Sequence, residues 1–205
     1  MEIEVKKSLK LIDYSSAMKL LDERVKDVIN GKKPELLWIL EHKPIFTAGT
    51  NSKENEILNK NIKLIKTSRG GKITYHGPGQ KIVYFVLNLN KRQKDIRKLI
   101  RNIEKCIILT LKDFKIESFN DHKNIGIWVN VNNEAKKVAA IGIRVKRWIA
   151  FHGFSINISN NLEVYKNIIP CGIYNKEITN LCSIKKNNYK SINQKIIKNF
   201  LRIFK

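Results

Sequence analysis

RGGKITYHGPGQKIVYFVLNL, residues 69–89, joins a glycine-rich segment to one of the most apolar runs in the chain. The apolar half, residues 81–89, predicts a buried β-strand. The other half contains four glycines: Gly70, Gly71, Gly77 and Gly79. Glycines allow positive φ and let a ligand approach the backbone closely, but they also mark hairpin corners. A phosphate-binding loop is excluded, because the order G-x-x-x-x-G-K-[ST] is missing and no helix is predicted to follow.

Apolar residues recur every three or four positions in three other segments, which predicts helices over 15–30, 95–112 and 191–204. We expect Ser15 or Ser16 to cap the first helix and Asp95 to cap the second. Short apolar runs predict further strands at 36–40, 62–68, 125–129, 137–145 and 148–158.

The segments between these elements complete the predicted fold. Residues 41–50 are expected to form a functional loop, and the polar segments 130–136 and 146–147 are expected to form hairpin turns. Helices that bracket runs of neighbouring strands predict an α/β fold of the α+β type, with a mixed, largely antiparallel sheet flanked by helices. We expect one domain over 1–205, since no linker or repeat divides the sequence.

Composition narrows the class of protein. With 205 residues and 42% hydrophobic content the chain can bury a substantial core, and no stretch approaches the length of a membrane span. We therefore expect a cytoplasmic protein that does not bind membranes. The net charge of +22 favours an acidic partner, either nucleic acid or an acidic protein. A bias of the whole composition toward lysine explains the charge equally well, and no RNA-binding motif accompanies it.

The cysteines and histidines of the sequence indicate a reactive thiol and not a metal site. The four histidines lie far apart, with no zinc-site spacing, so no metal is expected. Cys171 stands between Pro170 and Gly172, where a thiol could sit on a rigid turn. Cys106 and Cys182 are expected to be buried and inert. A thiolate needs a nearby cation or base, and Lys137, on a strand of small residues, is one candidate, although a solvated lysine at a strand end explains it as well.

Several segments together resemble the lipoyl(octanoyl) transferase family. The family pattern R-G-G-x-x-T-aromatic-H-x-x-G-Q-x-x-x-Y is matched by Arg69, Gly70, Gly71, Thr74, Tyr75, His76, Gly79, Gln80 and Tyr84. Residues 36–51, 136–158 and 168–173 resemble further family segments in the expected order. Two positions depart from the pattern, Ala48 and Asn180, and neither touches the Cys/Lys dyad that the family implies.

The resemblance implies a role for individual residues. Cys171 matches the acyl-accepting cysteine of the family and Lys137 matches the lysine of its Cys/Lys dyad. The implied substrate-binding residues are Arg69, Gly70, Gly71, Thr74, Tyr75, His76, Gly79, Gln80, Ala140, Ile141, Gly142, His152 and Gly153. A backbone N–H near Gly172 could stabilise the oxyanion.

The resemblance also implies the fold of biotin and lipoate protein ligases, and an octanoyltransferase of lipoate biosynthesis. The implied donor is octanoyl-acyl carrier protein. The implied acceptors are lipoyl domains of 2-oxoacid dehydrogenases and the glycine cleavage H protein. No cofactor, no nucleic acid and a monomer are expected. An ATP-dependent lipoate or biotin protein ligase on the same fold and a basic RNA-binding domain are the alternatives.

Overall fold

The computed structural model of the protein describes residues 2–121, 123–169 and 177–205. Its strands are β1 (Ile3–Lys7), β2 (Glu35–Leu40), β3 (Ile45–Ala48), β4 (Leu64–Lys66), β5 (Ile73–His76), β6 (Gln80–Asn88), β7 (Phe119–Asn120), β8 (Ile127–Val131), β9 (Glu134–Lys146) and β10 (Ile149–Asn157). The helices are α1 (Tyr14–Ile29), α2 (Ile96–Lys112), α3 (Leu181–Ile184) and α4 (Ile192–Phe204). Short 3₁₀ helices lie at Glu54–Glu56, Leu89–Lys91 and Glu163–Asn167.

The strands form two sheets. The large sheet has the order β1-β2-β6-β10-β9-β8-β7, in which only the β1–β2 pair is parallel. The small sheet has the order β4-β3-β5, with β3 parallel to β4 and antiparallel to β5. The predicted mixed, largely antiparallel sheet flanked by helices is confirmed.

Both faces of the large sheet are covered, which explains why its central strands are apolar throughout. In β6, Val83 and Phe85 face α2 and α4, whereas Ile82 and Tyr84 face α1. Successive side chains of a strand point to opposite faces, so this alternation follows directly from the pleat. The apolar run at 81–89 therefore lies in the middle of the core, paired with β2 on one side and with β10 on the other.

The glycine-rich segment before this run connects the two sheets. Ile73–His76 is a strand of the small sheet, and the chain turns at Gly77–Gly79 to enter the large sheet as β6. Gly79 has φ +80°, a conformation that glycine adopts at no steric cost. The prediction that the glycines mark a simple hairpin corner is therefore wrong, because β5 and β6 belong to different sheets.

Three local predictions need correction. The N-cap of α1 is Asp13, whose carboxylate accepts a hydrogen bond from the Ser16 amide at 3.0 Å, and not Ser15 or Ser16. Residues 41–50 are not all loop, since Ile45–Ala48 forms β3. The second hairpin turn lies one residue later than predicted, at Arg147 and Trp148.

Other predictions hold. Asp95 caps α2 by accepting a hydrogen bond from the Lys98 amide at 2.9 Å. The predicted hairpin turn between β8 and β9 is also present but shorter than the segment 130–136: only Asn132 and Asn133 lie between the strands. Their φ values of 51° and 64° are the positive pair that a type I′ hairpin requires. Within the described part of the chain, no helix is long and apolar enough to cross a membrane.

Candidate functional site

A cavity opens where β5, β6, β9 and β10 meet the loop that precedes β5. The cavity has a volume of about 70 Å³ and is partly open to solvent. Most of the residues that the sequence predicts to bind substrate line this cavity: Arg69, Gly71, Thr74, His76, Ala140, Ile141, Gly142, His152 and Gly153. The fold therefore gathers residues that are up to 84 positions apart in the chain, from Arg69 to Gly153.

Four predicted binding residues lie outside the lining of this cavity: Gly70, Tyr75, Gly79 and Gln80. The Gly70 amide donates to the Ile143 carbonyl at 3.2 Å and so ties the loop to β9. Tyr75 packs against Phe46 with ring centroids 5.1 Å apart, on the small sheet. Gly79 makes the turn into β6. Gln80 faces a second, adjoining cavity.

The adjoining cavity contains Lys137 and is small, with a volume of about 10 Å³. Lys137 is only 5% exposed, and its Nζ donates to the Ile125 carbonyl at 3.0 Å. Nζ also lies 4.9 Å from the ring centroid of Trp128, within cation–π range. The two cavities share a wall made of Thr74, Ala140 and Ser155. The alternative of a solvated lysine at the end of a strand is therefore wrong.

Cys171 and Gly172 lie outside the described residues, so the predicted dyad and oxyanion donor stay predictions. The chain that follows them runs beside Lys137. The Lys137 amide donates to the Glu177 carbonyl at 2.8 Å, and the Thr179 amide donates back to the Lys137 carbonyl at 2.9 Å. The backbone six residues after Cys171 is thus hydrogen-bonded to Lys137.

The other two cysteines differ from each other. Cys106 is buried in α2, and burial raises the pKa of its thiol to about 12. It is therefore inert at neutral pH, as the sequence predicts. Cys182 is exposed, which corrects the prediction that it is buried. The reason is that α3 is a single turn packed through Leu181, which leaves the next side chain toward solvent.

Beside the main cavity lies a cluster of aromatic and imidazole rings, and two of its members, Tyr14 and His42, were not among the predicted site residues. His42 Nε2 lies 2.8 Å from Tyr84 Oη, and His42 Nδ1 lies 2.9 Å from the Ile12 carbonyl. A carbonyl only accepts, so Nδ1 carries the proton and Tyr84 donates to Nε2. Tyr14 stacks on the His76 ring at 6.3 Å. The sequence signal for His42 was a histidine directly after a buried strand.

Two imidazoles of the cavity are held neutral. Burial, with help from His42 and Arg69, lowers the pKa of His76 to about 3. Burial, with Arg69 and Arg144, lowers the pKa of His152 to about 4. Both rings therefore lack a charge at neutral pH and can act there as hydrogen-bond donors or acceptors.

His152 carries two further marks of a functional residue. Its φ is +68°, which is strained for a residue with a Cβ. Although it is only 3% exposed, neither ring nitrogen has a hydrogen-bond partner among the described residues. Strain and unpaired buried polar atoms both cost free energy, and they persist mainly where function requires them.

Arg69 anchors the loop at the mouth of the cavity. Its Nη2 donates to the carbonyl and to the hydroxyl of Thr47, at 2.9 Å and 2.8 Å, and its Nη1 donates to the Gly70 carbonyl at 3.1 Å. The guanidinium fork suits such multiple contacts better than an ammonium would. Arg69 thereby fixes the loop to β3 and places a positive charge beside both imidazoles.

Comparison with known proteins identifies the family of the chain. Residues 13–201 match the family model of the lipoyl protein ligase A/B catalytic domain. This match covers the strands and helices that build both cavities. The chain belongs to this family.

Relatives within the family specify the class. The octanoyltransferase of Anaplasma phagocytophilum is 40% identical over 207 residues, covering 100% of both chains. The octanoyltransferase of Wolbachia pipientis wMel is 45% identical over 175 residues, 85% of each chain. That of Anaplasma marginale strain Florida is 43% identical over 173 residues, covering 83% of this chain and 81% of the relative. The chain is thus a member of the octanoyltransferases, a group of acyltransferases, as the motif resemblance predicts.

Solved structures support the fold. A bipartite lipoate protein ligase from Thermoplasma acidophilum matches with a TM-score of 0.73 at 12% identity, covering 98% of this chain and 84% of that one. A lipoate-protein ligase A bound with ATP gives a TM-score of 0.73 at 14% identity, covering 98% and 85%. A Helicobacter pylori biotin acetyl coenzyme A carboxylase synthetase gives 0.55 at 10% identity, covering 98% and 75%. At these identities the likeness concerns the fold alone, and it agrees with the predicted ligase-type architecture.

Proposed function

We propose that the protein transfers an octanoyl group from octanoyl-acyl carrier protein to a lysine of lipoyl domains, through a thioester on Cys171. The acceptors are the lipoyl domains of 2-oxoacid dehydrogenases and the glycine cleavage H protein. Membership among the octanoyltransferases supports the octanoyl group and its destination. The carrier-protein donor and the Cys171 thioester are the additional content of the proposal.

One observation carries the mechanism. Lys137 is buried in the wall of the smaller cavity, and its backbone is hydrogen-bonded to the chain that follows Cys171. A lysine with no acidic partner among the described hydrogen bonds and ion pairs can act as a cation or as a base. As an ammonium Lys137 would favour the Cys171 thiolate, and as a neutral amine it would accept a proton.

The reaction then has two steps. In the first, the Cys171 thiolate attacks the donor thioester carbonyl, a new C–S bond forms and the donor C–S bond breaks. The departing carrier thiolate takes a proton from the Lys137 ammonium and leaves as the thiol, which makes Lys137 neutral. In the second, the acceptor amine attacks the Cys171 thioester, the C–N bond forms, and the Cys171 C–S bond breaks. Lys137 takes the proton that the amine loses. Neither step needs ATP or a metal, since a thioester is exchanged for a thioester and then for a more stable amide.

The lining of the cavity suits an acyl chain beside a polar carbonyl. Ile73, Ile82, Ile141 and Phe154 supply apolar walls, whereas Thr74, His76 and His152 supply polar groups. Gly142 lets the loop before β5 approach β9 closely, because a Cβ placed there would lie only 3.2 Å from the Gly70 carbonyl oxygen.

The charge of +22 suits acidic protein partners, which a field of this size steers toward the surface. Steering acts mainly on association rates and weakens with salt. We therefore expect the apparent association rate with the carrier protein to fall steeply as salt is added, with little change in the rate of the chemical steps.

Intact-protein mass spectrometry after incubation with octanoyl-acyl carrier protein tests the proposal. We expect a hydroxylamine-labile octanoyl adduct that is absent in Cys171→Ser and present in the control variant Cys182→Ser. An adduct that persists in Cys171→Ser would overturn the assignment of the nucleophile. An ATP-dependent ligase would instead release AMP from ATP and free octanoate, and robust AMP formation would contradict the transferase mechanism.

A further inference from the structure

The side chain of Gln80, at the first position of β6, is the centre of a buried hydrogen-bond network. It is 1% exposed and uses both ends of its amide. Its Nε2 donates to Asn157 Oδ1 at 2.9 Å, to the Tyr75 carbonyl at 3.3 Å and to Tyr165 Oη at 3.1 Å. Its Oε1 lies 2.8 Å from His76 Nδ1.

The orientation of this amide is determined by groups that can only accept or only donate. Asn157 Nδ2 donates to the Thr179 backbone carbonyl at 3.0 Å, so the amide of Asn157 must present Oδ1 to Gln80. The Tyr75 carbonyl is a second pure acceptor on the same side. Gln80 must therefore direct Nε2 toward Asn157 and Tyr75, and Oε1 toward His76.

This orientation fixes the tautomer of His76. Because Oε1 only accepts, His76 Nδ1 must carry the proton. The ring is neutral, since burial lowers its pKa to about 3 and the neighbouring Arg69 and His42 also disfavour a charge. Tyr14, stacked on the ring, brings no charge that would reverse this. Nε2 therefore carries a lone pair, and within residues 2–121, 123–169 and 177–205 the hydrogen bond of the ring is the one between Nδ1 and Gln80.

We propose that Gln80 is a positioning residue that holds His76 as the neutral Nδ1–H tautomer, so that Nε2 accepts a hydrogen bond from an N–H group of the substrate. This inference rests on the proposed function for the identity of that substrate. Two N–H groups enter the site during transfer: the amides of a pantetheine-type donor arm and the amine of the acceptor lysine. An imidazole with the opposite tautomer would present a donor to these groups and would repel them.

The same network explains why a glutamine is needed at this position. Through Tyr165, Gln80 contacts the 3₁₀ helix before residues 170–176, and through Asn157 and Thr179 it contacts the chain after them. Thr179 is in turn hydrogen-bonded to the backbone of Lys137. A single amide thus links His76 to both described flanks of the segment that contains Cys171. An apolar side chain of similar size would satisfy none of these contacts.

The tautomer can be measured directly in the intact protein. In a long-range ¹H–¹⁵N spectrum of protein with ¹⁵N-labelled histidine, we expect His76 to show a protonated Nδ1 and an unprotonated Nε2 at pH 7. In Gln80→Leu, the population should shift toward the Nε2–H form. Asn157→Ala, which removes only the group that orients the amide, should give a partial shift. A wild-type spectrum with Nε2–H would overturn the inference, even if transfer activity is normal.

Half-reactions show which N–H group His76 accepts. If it is a donor amide, Gln80→Leu should slow formation of the acyl-enzyme from octanoyl-pantetheine by about tenfold to a hundredfold. If it is the acceptor amine, the loss should instead fall on transfer from preformed acyl-enzyme to a lipoyl domain. The control is Gln194→Leu, an exposed residue of α4, which should change neither step.

The outcomes separate the two proposals. A Gln80→Leu protein that has lost the Nδ1–H tautomer but performs both half-reactions at the wild-type rate would refute the role of Nε2. Absence of any acyl-enzyme in the wild type would instead refute the proposed function, and the tautomer measured by NMR would stand. Thermal unfolding of each variant identifies a loss that is due to misfolding.

Discussion

Lys137 points its ammonium at the face of Trp128, with Nζ 4.9 Å from the ring centroid, and this places a cation in a largely closed part of the protein. The Trp128 ring and the Ile125 carbonyl replace water around the ammonium and hold the side chain in place. None of its described contacts is with a carboxylate. A lysine kept in this way is available for chemistry rather than committed to an ion pair.

Lys137→Met tests this role. Methionine fills a similar volume without a charge or a base, so the protein should stay folded while octanoyl transfer falls by about 10²- to 10⁴-fold. Trp128→Leu keeps the lysine and removes only the ring, and it should cost much less activity. Steady-state transfer to a purified lipoyl domain measures both. Near wild-type activity of Lys137→Met would contradict a catalytic lysine.

The buried imidazoles predict how stability responds to acid. In the unfolded chain a histidine binds a proton below about pH 6.5, whereas folded His152 does so only near a pKa of about 4. Stability is therefore lost as pH falls from about 6.5 toward 4, with a slope that approaches about 1.4 kcal/mol per pH unit for this residue.

His152→Asn removes that titration and keeps a residue that tolerates positive φ. Urea unfolding of wild type and variant between pH 7 and pH 4.5 should show a shallower loss of stability in the variant. Parallel curves for the two proteins would mean that His152 is protonated equally in both states.

Gly153 also has a structural task beside the cavity. A Cβ at this position would lie 1.9 Å from the Val83 carbonyl oxygen, which is fixed in β6. Gly153→Ala must therefore part β6 from β10, at a cost of about 3 kcal/mol or more. The matched control is Gly31→Ala, where nothing lies within 4 Å and only the φ of +68° is unfavourable, for about 1–2 kcal/mol. Chemical denaturation should rank the two in that order.

Gly142→Ala should change specificity more than stability. The added methyl would meet the Gly70 carbonyl at 3.2 Å and Arg69 Cδ at 3.5 Å, contacts that small movements relieve. It narrows the main cavity, so octanoyl transfer should fall by about tenfold relative to butanoyl transfer. Competition between the two acyl donors gives this ratio, and an unchanged ratio would place the acyl chain elsewhere.

Strong periodicity made much of the fold predictable from sequence. The helices at 95–112 and 191–204 and the strand at 81–89 appear within one or two residues of the prediction, because each buries a regular apolar stripe or run. Short elements were missed. β1 and β7 have too few residues to show a period, and Ile73–His76 is a strand only because β3 lies beside it.

The candidate site was less predictable from the sequence than the fold. The family motifs named many of the residues that line the main cavity, but periodicity could not show that Gln80 lines the smaller cavity instead. The exposure of Cys182 depends on how one turn of helix packs. The positive φ of His152 depends on the register between β10 and its neighbours, which is a long-range property that no local pattern contains.

The pairing of β6 with β10 also has a kinetic consequence. Strands 80–88 and 149–157 are neighbours in the sheet although some sixty residues separate them in the chain. Closing so long a loop is slow, because its entropy is lost before the paired strands offset it. The cavity walls come from both strands, so they are completed only when this late step is over. Recovery of ligand binding during refolding should therefore follow the slowest spectroscopic phase and never precede it.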